Sequence, residues 1–476
     1  MQQLGSINQI LSIGKSALSA SRARLTVAGY NIANAHTPGY HRAVVSLTPH
    51  SVLGSGVSVG NPVAIRNNLL ARNLVQTFGR MGYHDGAKDT LVQIQESFNE
   101  LDGLGLMTSL DSFQASLKEM AANPSGSAER QTVLGTSEGL LSQFHSLANQ
   151  LESAILATEE QGEYIGEEVS LKAAQVFTLN ADIKALASTG MNPEAMIDER
   201  DRLVGEIGEM VDVTVVHQSD GSVDLFIAGG RPLVTDAHTS TVTTEKNAGP
   251  PQTLQVSITK GDGNKVVAMA DIGGRLGGVV DAMNDTLGHS LHVVDEIAFG
   301  MANAVNAVHA GGVALDGTTG NSFFEVGPTS TGAAGGIELH ADVDGQPDRI
   351  AASKTLEDDG VTPVPISDIP GDNRNLHELI DSLDLPGVVA LTGESVHGAY
   401  ETLMVDAARA INTADLGLRT EQTTANQLQG LLLSETGVSV DEEMIEMTQA
   451  NQAFEAAAMV IRQADTMAET LLGLVR

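Results

Sequence analysis

Cysteine is absent from the 476 residues, which removes disulfides, thiolate metal sites and a cysteine nucleophile together. Tryptophan is absent as well and aromatics make up 3% of the chain, so cores must rest on Ala, Leu, Val and Ile over long contacts. Basic residues are scarce: 26 Lys and Arg stand against 60 Asp and Glu, a net charge of −34 with a pI near 4.5. A field of that sign repels phosphates and anionic lipid, so neither nucleic acid nor a membrane surface is expected as a partner. No apolar run approaches the roughly 20 residues of a membrane-spanning helix. Asn8, Gln9, Gly14 and Lys15 interrupt what would be the apolar core of a cleaved signal, so any export is expected by a leaderless route.

What the chain does have is length enough for two to four domains and heptad periodicity at both ends. Leu4, Ile7, Leu11, Gly14, Leu18, Ser21, Leu25, Ala28 and Ile32 recur in alternating steps of three and four. From Met444, in a last helix expected over 440–476, the positions Met447, Asn451, Phe454, Ala458, Ile461, Asp465, Ala468, Leu472 and Val475 do the same. A second seam beside it runs through Ala453, Ala457, Val460, Ala464, Met467, Leu471 and Leu474, so this helix is expected to touch more than one neighbour. The small residues in these seams permit close approach but bury little area for a lone helix. The matched ends are expected to pair, with everything between them looped out.

The first helix should stop at Asn31-Ile32-Ala33-Asn34-Ala35-His36-Thr37-Pro38-Gly39-Tyr40. Pro38 removes a donor and pushes Thr37 out of the helical region, while Gly39 supplies the positive φ of a type II turn. Asn31 and Asn34 share a face and can bond backbone groups freed at this corner, and Tyr40 can anchor it. Placed after a heptad helix at the N-terminus, the string resembles the signature of the bacterial flagellar rod, hook and hook-associated axial proteins. Ile65-Arg66 with Leu69 and Leu70 is similar to that family's next block, with Asn68 where Asp is usual.

Short strands are expected at Ala43–Thr48 and Gly56–Val59, and helix again from near Pro62. Residues 91–210 read as helical apart from a break at 123–127, where Ser127 can cap the next helix. Ala121-Ala122-Asn123-Pro124 with Arg130, and Met196 through Val204, resemble the hook–filament junction branch of the family. Within the second block, Asp198 and Arg202 are spaced for an ion pair on one helix face. At Val211 the period switches to two. Asp220-Gly221 makes a hairpin turn, and further strands are expected at 239–244, 254–259 and 266–269. Helix returns over 275–309. A Gly- and Asp-rich connection fills 311–372, and Ser395 to Leu433 is helical again.

Candidate chemistry is thin. Gly135-Thr136-Ser137-Glu138-Gly139 fits a nucleophile elbow by composition but sits in helical sequence, where that motif has no strand-to-helix turn. His377-Glu378 lacks the second His of a zinc-protease helix, and His289 and His292 have no third ligand tied to them. Asp342-Val343-Asp344-Gly345 lacks the later Glu of a calcium loop. No catalytic, cofactor or metal residues are assigned, and no enzyme is expected.

The expected fold is mainly α with a β insert. Residues 1–75 and 410–476 would form a terminal helical assembly domain, 76–210 and 273–409 an elongated mostly helical domain, and 211–272 an inserted β domain. The assembly residues would be Leu11, Leu18, Leu25, Asn31, Ile32, Asn34, Thr37, Pro38, Gly39, Tyr40, Met444, Met447, Phe454, Ile461, Leu471 and Leu472. The resemblance implies a secreted structural part of the flagellum, outside the cell, joining hook to filament; a hook or distal rod protein is the alternative, and an enzyme or adhesin on that scaffold a more distant one. It also implies its partners: copies of itself, the hook protein, a second junction protein and the filament, an export chaperone on the C-terminal helix, and the flagellar type III export apparatus.

Overall fold

The computed structural model describes residues 2–37, 39–49, 56–98, 105–189, 191–247, 249–261, 263–268, 272–354, 369 and 371–474. The fold is mainly α with small antiparallel sheets. A 33-residue helix, α1 (Gln2–Asn34), leads through a corner into a hairpin of β1 (Ala43–Pro49) and β2 (Val57–Ala64). The second strand runs through Pro62 to Ala64, and helix resumes only at α2 (Asn68–Ser97). Pro62 lies beside a register irregularity in the ladder, where its missing N–H is tolerated, and Asn67 sets the helix start by accepting from the Leu69 and Leu70 amides.

The middle of the molecule is built on α4 (Ser127–Thr189), 63 residues or about 95 Å of helix. Along it pack α3 (Leu106–Ala122), α5 (Glu194–Met210) and two three-stranded sheets. One sheet holds β3 (Val213–His217), β4 (Val223–Ile227) and β5 (Arg231–Val234) in that order; the other holds β6 (Thr241–Asn247), β7 (Thr253–Thr259) and β8 (Lys265–Ala268). The strands have no separate interior. Val213, Leu225, Val242 and Leu254 belong to the same continuous core as Phe144, Leu151 and Val169 of α4. Close approach is possible because α4 is notched: a Cβ on Gly166 would stand 2.9 Å from the Val242 carbonyl oxygen.

The chain then returns through α6 (Gly274–Ala282), one π turn and α7 (Gly288–His309). The Gly-rich connection contains β9 (Phe324–Glu325), α8 (Ala333–Gly336) and β10 (Glu338–Leu339), followed by α9 (Arg374–Asp384). It is tied down by Arg130, fully buried in α4, whose guanidinium donates to the carbonyls of Pro124, Pro347 and Ile350. Burial lowers its pKa to about 10, so it remains a cation at neutral pH. Finally α10 (Val396–Thr436), capped by Ser395, runs back along α2, and α11 (Val440–Leu474) lies along α1. No described helix is long and apolar enough to cross a membrane.

Candidate assembly interface

The pairing of α1 with α11 is antiparallel, as the contacts of Asn31 with Glu443, Arg24 with Glu446 and Gly14 with Ile461 require. On α1 the row Ile7, Gly14, Ser21 and Ala28 is buried, while Leu11, Leu18, Leu25 and Ile32 are half-buried. The small residues therefore form the contact and the leucines flank it. A Cβ on Gly14 would stand only 2.7 Å from Ile461 Cγ1.

On α11 the contact row is Glu443, Ala450, Ala457 and Ala464, accompanied by half-buried Met447, Ile461 and Ala468 and a 39%-exposed Phe454. From Phe454 to Ala468 this seam alternates between the two that the sequence suggests, but Glu443 and Ala450 belong to neither, and Asn451 and Asp465 of the first are exposed. Polar groups move to water while alanines take the closest approach. Met444 is 57% exposed. Pro38 and the side chains of Leu471 and Leu472 lie outside the described residues.

The corner residues close this pair with a polar clamp. Asn31 is 1% exposed, and its amide is fully used. Its Nδ2 donates to the Ala43 carbonyl (2.9 Å) and to Glu443 Oε2 (3.0 Å), and its Oδ1 accepts from Tyr40 OH (2.9 Å) and the Ala43 amide (3.0 Å). Glu443 in turn accepts from Arg42 Nε at 2.7 Å, and the Arg42 amide donates to the Thr436 carbonyl. Asn31 and Arg42 thus share one carboxylate, supplied from 401 positions beyond Arg42. Asn34 acts locally instead: its Nδ2 donates to the Tyr30 carbonyl and its Oδ1 accepts from Thr37 Oγ1. Gly39 has φ of +77°, the left-handed turn expected of it. Burial, and then the charges of Asp198 and Glu443, hold the Tyr40 phenol protonated beyond its ordinary range.

The corner also reaches the middle of the molecule. His41 Nδ1 lies 3.0 Å from Asp198 on α5, and Arg66 bonds Asp198 at 2.6 Å and also Glu194. Asp198 is therefore not paired with Arg202, as its spacing suggests; Arg202 takes Glu199 and Glu206 on its own helix. Arg66 and the His41 ring, from the two connections that flank the β1/β2 hairpin and half-buried with Asp198, replace the exposed helix-face bridge. Burial pushes the Asp198 carboxyl up, and the His41 and Arg66 hydrogen bonds outweigh it, leaving the group below the usual range. Between corner and α5 is a cleft of about 510 Å³ lined by Thr37, Gly39, Tyr40, Asp198 and Arg202.

Sequence reasoning missed Arg42 and Glu443. Acidic residues opening a helix read as complements to its dipole, and no local spacing links them to a site near the other end of the chain. Among the described residues no group of three metal-ligating side chains comes together, and Gly135–Gly139 lies within α4.

The chain is similar to known proteins along its length. Residues 91–324 match the model of the flagellar hook-associated protein FlgK helical domain, residues 11–41 that of the flagella basal body rod protein, and residues 429–474 the C-terminal model of the flagellar basal body rod FlgEFG protein. The chain belongs to the flagellar hook-associated protein family. Flagellar hook-associated protein 1 of Salmonella typhimurium is 25% identical over 98% of this chain and 100% of its own, and that of Bacillus subtilis 26% over 97% of each. The solved structure of the flagellar hook junction protein FlgK from Burkholderia pseudomallei shares the fold, with a TM-score of 0.64 at 16% identity over 77% of this chain and all of that one. As a hook-associated protein, this one is a structural component of the bacterial flagellum. The basal-body matches at residues 11–41 and 429–474 fall on the helices that the clamp joins.

Proposed function

We propose that this protein joins hook to filament as an exported, self-assembling axial subunit, with the clamped pair α1/α11 as its assembly element. The observation that carries the reading is that the pair is closed at one end by buried polar bonds yet unfinished on its outside. Ile445 is 58% exposed, Met459 59% and Met467 47%, in a helix whose buried row against its partner is mostly alanine. A lone pair of helices does not bury enough area to stand free, so these faces need further helices. Copies of this chain, the hook protein on one side and a second junction protein leading to the filament on the other supply them. The division into terminal residues 1–75 and 410–476, middle residues 76–210 and 273–409, and strands 211–272 fits this arrangement, with the middle standing outward from the wall of the tube.

Before assembly the same apolar stripe of α11 suits an export chaperone, and passage through the flagellar type III apparatus keeps the ends apart until they dock, which couples ordering to assembly. Electron microscopy of cells lacking the gene, with an assay for free flagellin, tests the placement. Intact hooks without filaments, and flagellin in the medium, are expected. Missing hooks would instead make it a hook or distal rod protein, and normal filaments would contradict the structural role altogether.

A further inference from the structure

Sulfur is distributed unevenly over this chain. Cysteine is absent, so its 15 methionines hold all the sulfur that an oxidant can reach. Among the described residues the methionines of the middle are buried or half-buried, Met120 and Met301 completely, except Met191 in the turn before α5. The last helix differs. α11 carries four methionines, and three of them, Met444, Met459 and Met467, are exposed. Met444 stands apart, but Met459, Gln463 and Met467 follow one another at single turns of the helix. Ala456, Val460 and Thr466 around them complete a face without charge, bounded on one side by Glu455 and Arg462. Unbranched thioethers adapt to the contours of a partner, which suits a face that has to be covered, and a single added oxygen atom changes their polarity.

We propose that Met459 and Met467 form an oxidation site that decides whether a free subunit can assemble. The inference rests on the axial-subunit reading above, in which this face is covered in the flagellum. The co-reactant is a peroxide. The thioether sulfur attacks one peroxide oxygen, the O–O bond breaks, that oxygen stays on sulfur as the sulfoxide, and the other leaves as water with both protons. The methionine loses two electrons and the peroxide gains them. A sulfoxide oxygen holds water, and covering it with an apolar neighbour removes those hydrogen bonds without replacing them. Once the subunit is in place the same neighbour shuts out the oxidant, so the modification acts before assembly.

The test uses the full-length chain in two states. Secreted free protein and purified flagella are treated with hydrogen peroxide, and sulfoxide at each methionine is measured by peptide mass spectrometry against the buried Met120. Met459 and Met467 are expected to oxidise ahead of Met120 in the free chain and to lose that lead in flagella. A lead that persists in flagella would overturn the site, because the face would then be uncovered. Met459→Gln with Met467→Gln gives the face the polarity of a sulfoxide without an oxidant. In cells lacking the native gene this variant is expected to be secreted with an unaltered melting temperature, since both side chains are exposed in the free subunit, and to be missing from flagella. Met459→Leu with Met467→Leu is expected to be incorporated. Incorporation of the glutamine variant, a lowered melting temperature of its secreted form, or exclusion of the leucine variant would each overturn the inference. Absence of the unaltered chain from purified flagella would instead overturn the axial reading, which keeps the two failures apart.

Discussion

Asn31 uses every donor and acceptor of its amide, and each partner belongs to a different piece of chain: the corner, the first strand and the last helix. Removing it leaves Glu443 and the Ala43 backbone short of partners in a buried setting, a cost of about 3 kcal/mol. Asn31→Ala is therefore expected to raise hydrogen exchange at the ends of α1 and α11 while the melting of the middle is unchanged. A second buried group makes stability depend on pH. His309 donates from Nδ1 to the Asn321 carbonyl and accepts at Nε2 from the Ala351 amide. Burial first, then the Arg130 charge, lowers its pKa to about 4. The unfolded imidazole takes up a proton below about 6.5 while the native one stays neutral to about 4, so stability is full above pH 6.5 and falls between those values. The slope approaches about 1.4 kcal/mol per pH unit. His309→Gln is expected to flatten this dependence in urea midpoints measured from pH 7 to pH 4.

At the scale of elements, helices approach one another through glycine notches. A Cβ on Gly278 of α6 would run into the Tyr83 carbonyl of α2, and one on Gly82 into the Glu209 carbonyl of α5. Alanine would gain about 1 kcal/mol of helix propensity at such a site. Backbone oxygens cannot step aside as a side chain would, and overpacking costs about 1–3 kcal/mol. Gly278→Ala is expected to lower the melting temperature. These contacts explain what was legible in the sequence. Heptad spacing marked the end helices and alternation marked β3 and β4, because both are local periodicities. The seam on α11 was blurred because alanines such as Ala450 lie on several faces and only tertiary contact picks one. β5, four residues with a proline, carries no alternation, and the spacing of Asp198 points to Arg202 because its partner Arg66 comes from 132 positions away. The Arg42–Glu443 bond had no local signal at all.

For the whole molecule, the order of the chain matters less than its closure. The two ends, with the corner between α1 and β1, make one element, and α2 and α10 carry the chain from it to the middle built on α4. The clamp faces inward and fixes the pair; the exposed stripe faces outward and needs neighbours. Ile461→Asp tests this most directly, because it places a charge against Gly14 in the seam without touching the clamp or the middle. The measurement is the amount of the variant in purified flagella, with its secretion and the folding of its middle followed in parallel. The expected result is a secreted protein whose middle melts normally and which is missing from the flagellum. Incorporation at the level of the unaltered chain would contradict the claim that the paired ends are what assembles.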